Sequence, residues 1–165
     1  MKNNINLNFG ILIVMLLSVT GGSLGAAQLS LPGENLYKLK TVSENMRVAL
    51  VWSEKSKAIV HSQISEEKIK EIEKLNERKG KNENVEVALE NMSKHQEKVM
   101  EYVEKNNDKQ FTDEKENIIK QQKMLTDLKN RMPESAQRVI QNALDASSKR
   151  LINPSANKED NLKKD

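Results

Sequence analysis

Apolar residues recur at helical spacing through most of this chain, and the places where the rhythm breaks divide it into five helical segments. The first opens at Pro32 or just after, where proline suits a first helical turn and Glu34 complements the positive end of the helix dipole. Leu36, Leu39, Met46 and Leu50 then fall on one face, interrupted by Ser43, and are expected to dock this helix on the rest of the protein. Ser53 supplies a fresh N-cap for a second helix over residues 54–79, with Ala58, Ile59, Ile64, Ile69, Ile72 and Leu75 inward and Gly80 in the C′ position after its end. A turn over residues 80–84 leads to a third helix over residues 85–105, whose stripe of Val85, Ala88, Leu89, Met92, Val99 and Val103 is the clearest in the chain. Residues 106–110 are polar. Thr112 then caps a fourth helix with Ile118, Ile119, Leu125, Leu128 and Met132 as its apolar positions. Pro133 ends it and restarts the helix, so that Ala136, Val139, Ile140, Ala143 and Leu151 form the inward face of a fifth.

The two ends do not share this rhythm. Residues 1–8 are polar around Lys2, residues 9–19 form an apolar run of eleven, and the small residues from Thr20 to Ala27 follow, which is the layout of a signal peptide over residues 1–27. Eleven helical residues cover about 16 Å, well short of a hydrocarbon core of about 30 Å, so a cleaved leader is expected in preference to a permanent span. A helical domain over residues 28–152 and a disordered polar tail over residues 153–165 complete the organisation. The fold class expected is all-α, a bundle of four to five mostly antiparallel helices preceded by a signal-peptide helix.

Charge and cysteine content narrow the chemistry. The net charge of +3, of which Lys2 in the leader supplies one, arises from 27 basic and 24 acidic residues that are interspersed, the pattern of solvated helix faces and not of a nucleic-acid patch. The chain has no cysteine, which removes disulfides, thiolate nucleophiles and cysteine-based zinc sites together. For an exported chain this points to a bacterial envelope. There is no Gly-x-Ser-x-Gly and no glycine-rich phosphate loop, so no enzyme activity and no cofactor is expected.

Four polar residues of the first helix stand out. Tyr37, Lys40, Glu44 and Arg47 lie within about 80° of one another on the flank of the apolar stripe. Lys40 with Glu44 and Glu44 with Arg47 have the spacing of ion pairs along a helix, and Lys68 and Glu71 of the second helix are the residues that could meet this seam. It is read as structural in preference to a recognition surface. His61 and His95 lie on two helices expected to pack together, and are the residues that would ligate a metal if one were held. With no HExxH and no carboxylate at ligand spacing, no metal is expected. Met92, Met100, Met124 and Met132 follow helix faces and are read as packing, not as a copper site.

The segment from Leu31 through Tyr37-Lys38-Leu39-Lys40, with Glu44 and Arg47, resembles the opening motif of a family of exported bacterial and archaeal helical domains catalogued only as a domain of unknown function. In that family a proline-containing start precedes Leu-Tyr-x-Leu-Lys-x-x-x-Glu. Lys57-Ala58 through Lys68-Ile69-Lys70-Glu71 is similar to its second helix, with Lys68 where arginine is usual. Leu125-Thr126-Asp127-Leu128, Met132-Pro133-Glu134 and Ile140 through Ser147 look like its closing Val-Pro-Glu and Ile-x-x-Ala-Leu-x-x-Ser signature. The resemblance implies export and a helical bundle and brings no activity. The function expected is that of a non-catalytic interaction or scaffold module, secreted or at the cell surface, with a protein partner in the envelope, no nucleic acid, and membrane contact only through the signal segment. The alternative is an envelope sensor or buffer for a metal ion or small ligand, built on His61 and His95.

Overall fold

Where helices start and stop is decided by a few short-range contacts. The computed structural model describes residues 27–106 and 112–152; the leader up to residue 26, residues 107–111 and the polar tail from residue 153 lie outside the described residues. Among the described residues there are five long helices and no strand: α1 (Tyr37–Ala49), α2 (Glu54–Glu77), α3 (Asn82–Asn106), α4 (Thr112–Lys129) and α5 (Glu134–Ile152).

α1 starts five residues later than the position of Pro32 suggests, because residues 31–36 are used as a turn anchored at its start. Leu31 and Pro32 are buried, and Gly33 takes φ +91° with the Asn84 side chain 2.6 Å from where a Cβ would stand. Glu34 serves this turn and not the α1 dipole: its Oε2 accepts the Leu31 N–H at 2.8 Å and its Oε1 accepts from Arg78 Nη1 at 3.0 Å. The Leu31 N–H, with Ser30 and Arg78 adding to it, holds this carboxyl below the usual range. The first turn of α1 contains no acid.

Ser53 caps α2 as expected, its Oγ accepting the Ser56 N–H at 3.1 Å. The other end differs from expectation. α2 stops at Glu77, and the left-handed position after it is taken by Lys79, φ 51°, not by Gly80. The Gly80 N–H reaches the Leu75 carbonyl at 2.7 Å and the Lys79 N–H the Asn76 carbonyl at 3.0 Å, the paired bonds of a Schellman ending. Gly80 is needed for proximity: a Cβ there would lie 2.9 Å from Leu75 Cδ2 and 3.1 Å from the Leu75 carbonyl oxygen. α3 consequently begins at Asn82, inside the stretch expected to be a turn. At the last junction the Pro133 carbonyl accepts the Ala136 and Gln137 N–H groups, each at 2.9 Å, and opens α5.

α2 with α3, and α4 with α5, form two antiparallel hairpins that lie side by side. Hydrogen bonds join Ser65 of α2 to Gln121 of α4 and Asn76, near the end of α2, to Arg131 just past the end of α4, so these two helices run parallel. α3 and α5 are likewise parallel, with Asn82 against Ser135 and Gln96 against Ser147. α1 lies along α2 on the outside. The core has two apolar parts. The larger gathers Ile69, Ile72, Leu75, Val85, Leu89, Met92, Leu125, Leu128 and Ile140 around the turn end, and the smaller gathers Ala58, Val99, Met100, Val103 and Ile118 at the other. Between them lies a buried layer of amide and hydroxyl groups that the apolar pattern did not announce. Gln121 donates to the Ser62 carbonyl at 2.9 Å, its Oε1 accepts from Ser65 at 2.9 Å and from Gln96 at 3.0 Å, and Gln96 in turn accepts from Ser147 at 3.0 Å. Two positions expected inward, Ile59 and Ile119, are 39% and 56% exposed.

Candidate functional site

α1 sits the other way round from its apolar stripe. Leu36, Leu39, Met46 and Leu50, expected to dock the helix, are 41%, 38%, 51% and 66% exposed, while its buried residues are Tyr37, Lys40 and Glu44. The reason lies on α2, which presents Lys68 and Glu71 toward α1. Turning the apolar stripe inward would strand both charges against hydrocarbon, a cost of several kcal/mol per ion. Turning the polar seam inward pairs them.

The seam closes into a network with balanced charge. Lys68, the largest fully buried side chain of the described residues, places Nζ 2.7 Å from Glu44 Oε1, 2.9 Å from Glu71 Oε1 and 3.3 Å from the Tyr37 hydroxyl oxygen, which uses all three ammonium protons. Lys40 Nζ reaches Glu71 Oε1 at 2.6 Å. Tyr37 donates to Glu71 Oε2 at 3.2 Å and accepts from Asn91 of α3 at 3.2 Å, and its ring lies 5.0 Å from Lys68 Nζ. Two ammonium groups thus face two carboxylates in a site with almost no solvent. Arg47 closes the seam at the partly exposed end, its Nη1 bonded to both oxygens of Glu67 at 3.0 Å. The pairs that spacing along α1 allows, Lys40 with Glu44 and Glu44 with Arg47, give way to pairs with α2.

Burial disfavours charge throughout this site. It pushes the Glu44 carboxyl above its ordinary value against the pull of Lys68, and it pushes the Tyr37 phenol up, with Glu71 adding to the effect. Burial works against the Lys68 ammonium as well, but Glu71 and Glu44 together carry its pKa above the ordinary lysine value. Lys68 therefore stays charged at neutral pH and is the centre on which α1 is seated.

His61 and His95 are brought together, with their Nδ1 atoms 2.7 Å apart and their rings 5.0 Å between centroids. At that distance one imidazole donates its Nδ1–H and the other accepts, so neither Nδ1 is free to ligate a metal. Burial lowers the pKa of both. Lys98 adds to the effect at His61, and His95 is brought down to about 4 by burial, His61, Lys68 and Arg47. The cations that lower these values also repel a metal ion, and among the described residues no group of three or more His, Cys, Asp or Glu converges. The pair forms the wall of a cleft of about 440 Å³ between α1 and α3, with Thr41, Glu44, Asn91 and Lys98 around it. Met92, Met100 and Met132 are buried in the core and Met124 packs against it.

What remains unspent is the outer face of α1. With the seam inward, Leu36, Leu39, Val42, Met46 and Leu50 form a continuous apolar strip in solvent, extended by Leu29 at 66% and Trp52 at 96% exposed. Isolated exposed apolar side chains are ordinary, whereas here the exposed apolar side chains are contiguous. Sequence periodicity located this strip and assigned it to the wrong side.

Fold and site together define an all-α bundle of four helices with α1 clamped on its outside by buried ion pairs. The chain belongs to the family described as a domain of unknown function, DUF5667, whose family model matches residues 29–164. No curated protein and no solved structure matches the chain.

Proposed function

We propose that this chain is a non-catalytic interaction module of the cell envelope, a helical bundle that holds α1 by its polar side so that its apolar side is offered to a partner. The observation that carries the reading is the orientation of α1: five apolar residues at helical spacing stand outward, from Leu39 at 38% to Leu50 at 66% exposed, while buried ion pairs secure the helix without them. The signal-peptide layout of residues 1–27 supports export, and the resemblance to an exported family supports the envelope as the place of action.

A photo-crosslinking side chain at Val42, 52% exposed at the middle of the strip, tests this in the native cell envelope, with the exposed Asp127 of α4 as the control position. Adducts specific to Val42 are expected, in a protein whose thermal melt is unchanged. Equal labelling from the two positions would remove the reading.

A further inference from the structure

Resting on the reading of α1 as the docking face, we infer that its occupant is an anionic lipid surface, entered side-on by Leu36, Leu39, Val42, Met46 and Leu50 with Trp52 at the headgroup level.

The shape of the strip suits a surface better than a pocket. Advancing 100° per residue, the five residues fall within an arc of about 120° and span about 21 Å of helix. The chain that precedes the helix widens this strip: Gln28 Nε2 reaches Ser43 Oγ at 3.5 Å, which lays residues 27–31 along α1, and Leu29 and Leu36 line one shallow depression. Trp52, at 96% exposed, ends the strip, and an indole with an apolar body and one N–H donor is most stable where hydrocarbon meets headgroups.

Charge selects the kind of surface. The only acid in α1 is Glu44, which is 1% exposed and bound to Lys68. Lys38 is exposed on the flank of the strip and Lys55 is exposed three residues after Trp52, while Arg47 is paired with Glu67 and the exposed Glu54 beside Trp52 is paired with Lys57. Glu34, before the helix, is paired with Arg78. An apolar strip with a cationic flank and no uncompensated acid is what an interfacial helix needs on anionic lipid. A second copy of the chain would set two such rims of the same sign against each other.

The chain from residue 28 on, with the leader removed, is added to phosphatidylcholine vesicles with and without phosphatidylglycerol, and Trp52 is read as the only tryptophan of the sequence. Blue-shifted Trp52 emission and quenching by lipids brominated near the headgroup are expected, severalfold stronger on the anionic vesicles. The variant Leu39→Ser with Met46→Ser, which alters two exposed side chains, is expected to keep the wild-type melting temperature while losing both the Trp52 quenching and the association of the chain with anionic vesicles. Unquenched Trp52 in the presence of anionic vesicles overturns the lipid assignment, as does equal quenching on neutral vesicles. Val42 adducts with a protein under those conditions would leave the interaction module standing without the lipid, and adducts between two copies would assign the strip to self-association.

Discussion

Replacing Glu44 by Ala should cost about 3–5 kcal/mol of stability, the range seen when one partner of a buried pair is removed. Glu44 is 1% exposed and its Oε1 lies 2.7 Å from Lys68 Nζ. At an effective dielectric of about 20, that separation corresponds to an attraction of about 6 kcal/mol, part of which only offsets the desolvation of the two ions. In the variant Glu71 alone faces Lys40 and Lys68, at 2.6 and 2.9 Å, and one positive charge is left uncompensated in a sealed site. Urea denaturation followed by circular dichroism measures the loss, which is a large fraction of the about 5–15 kcal/mol that holds a domain folded. The variant Lys68→Met should lose a similar amount. Glu44→Leu combined with Lys68→Met should recover most of it, because Lys40 and Glu71 remain as a neutral pair. A loss below about 1 kcal/mol for Glu44→Ala, or two single losses that add in the double variant, would refute the network as the clamp on α1. Unchanged stability with loss of Val42 crosslinking would turn the seam into a recognition element.

Three further outcomes are expected. The folded pKa of His95, about 4, lies below the ordinary 6.5, so the unfolded chain takes up the proton first; this contribution is intact above pH 6.5, declines as pH falls toward 4, and amounts to about 3 kcal/mol, read as the difference in denaturation between wild type and His95→Asn across that window. Lys79→Gly relieves a side chain at φ 51° and should raise stability by about 0.4–1 kcal/mol in the same assay, whereas Gly80→Ala drives a methyl group against Leu75 and should lower it. Gln121→Leu strips Ser65, Gln96 and the Ser62 carbonyl of their partner and should cost about 2–4 kcal/mol by denaturant titration, although it adds apolar volume to a core.

Helix identity, approximate limits and the inward stripes of α3 and α5 could be read directly from spacing, because Val85, Ala88, Leu89 and Met92, or Ala136 and Ile140, repeat without interruption. α1 could not be read in this way. It carries an apolar stripe and a polar seam, and periodicity within one helix cannot say which faces in. That depends on Lys68 and Glu71 one helix away, on positions that, in α2, follow the inward sequence of Ala58, His61, Ser65 and Ile72. The polar layer left the same trace. Gln96 falls between Met92 and Val99, Gln121 between Ile118 and Leu125, and Ser147 between Leu144 and Leu151, each at a spacing of three or four from buried or partly buried neighbours. Polar residues in three inward stripes at one level of the bundle were the available signal, and assigning polar side chains to solvent by default concealed it. The end of α2 differs for another reason: Gly80 is required for close approach to Leu75 in the same helix ending, a local steric demand that resembles a conformational one in sequence.

The Gln121 layer also sets how the two hairpins can slide. An apolar seam of Leu, Ile and Val tolerates a shift of one helical turn, about 5.4 Å, since one methyl-covered position resembles the next. The amides of Gln96 and Gln121 have their acceptors and donors at one height only, on Ser62, Ser65 and Ser147. A slip of one turn would bury several unsatisfied groups at about 1–3 kcal/mol each, so the alternative alignments are excluded by their cost more than the native one is favoured by its contacts. The layer works as a detent, and by fixing the height of α2 it fixes the height at which Lys68 meets Glu44 and α1 is seated.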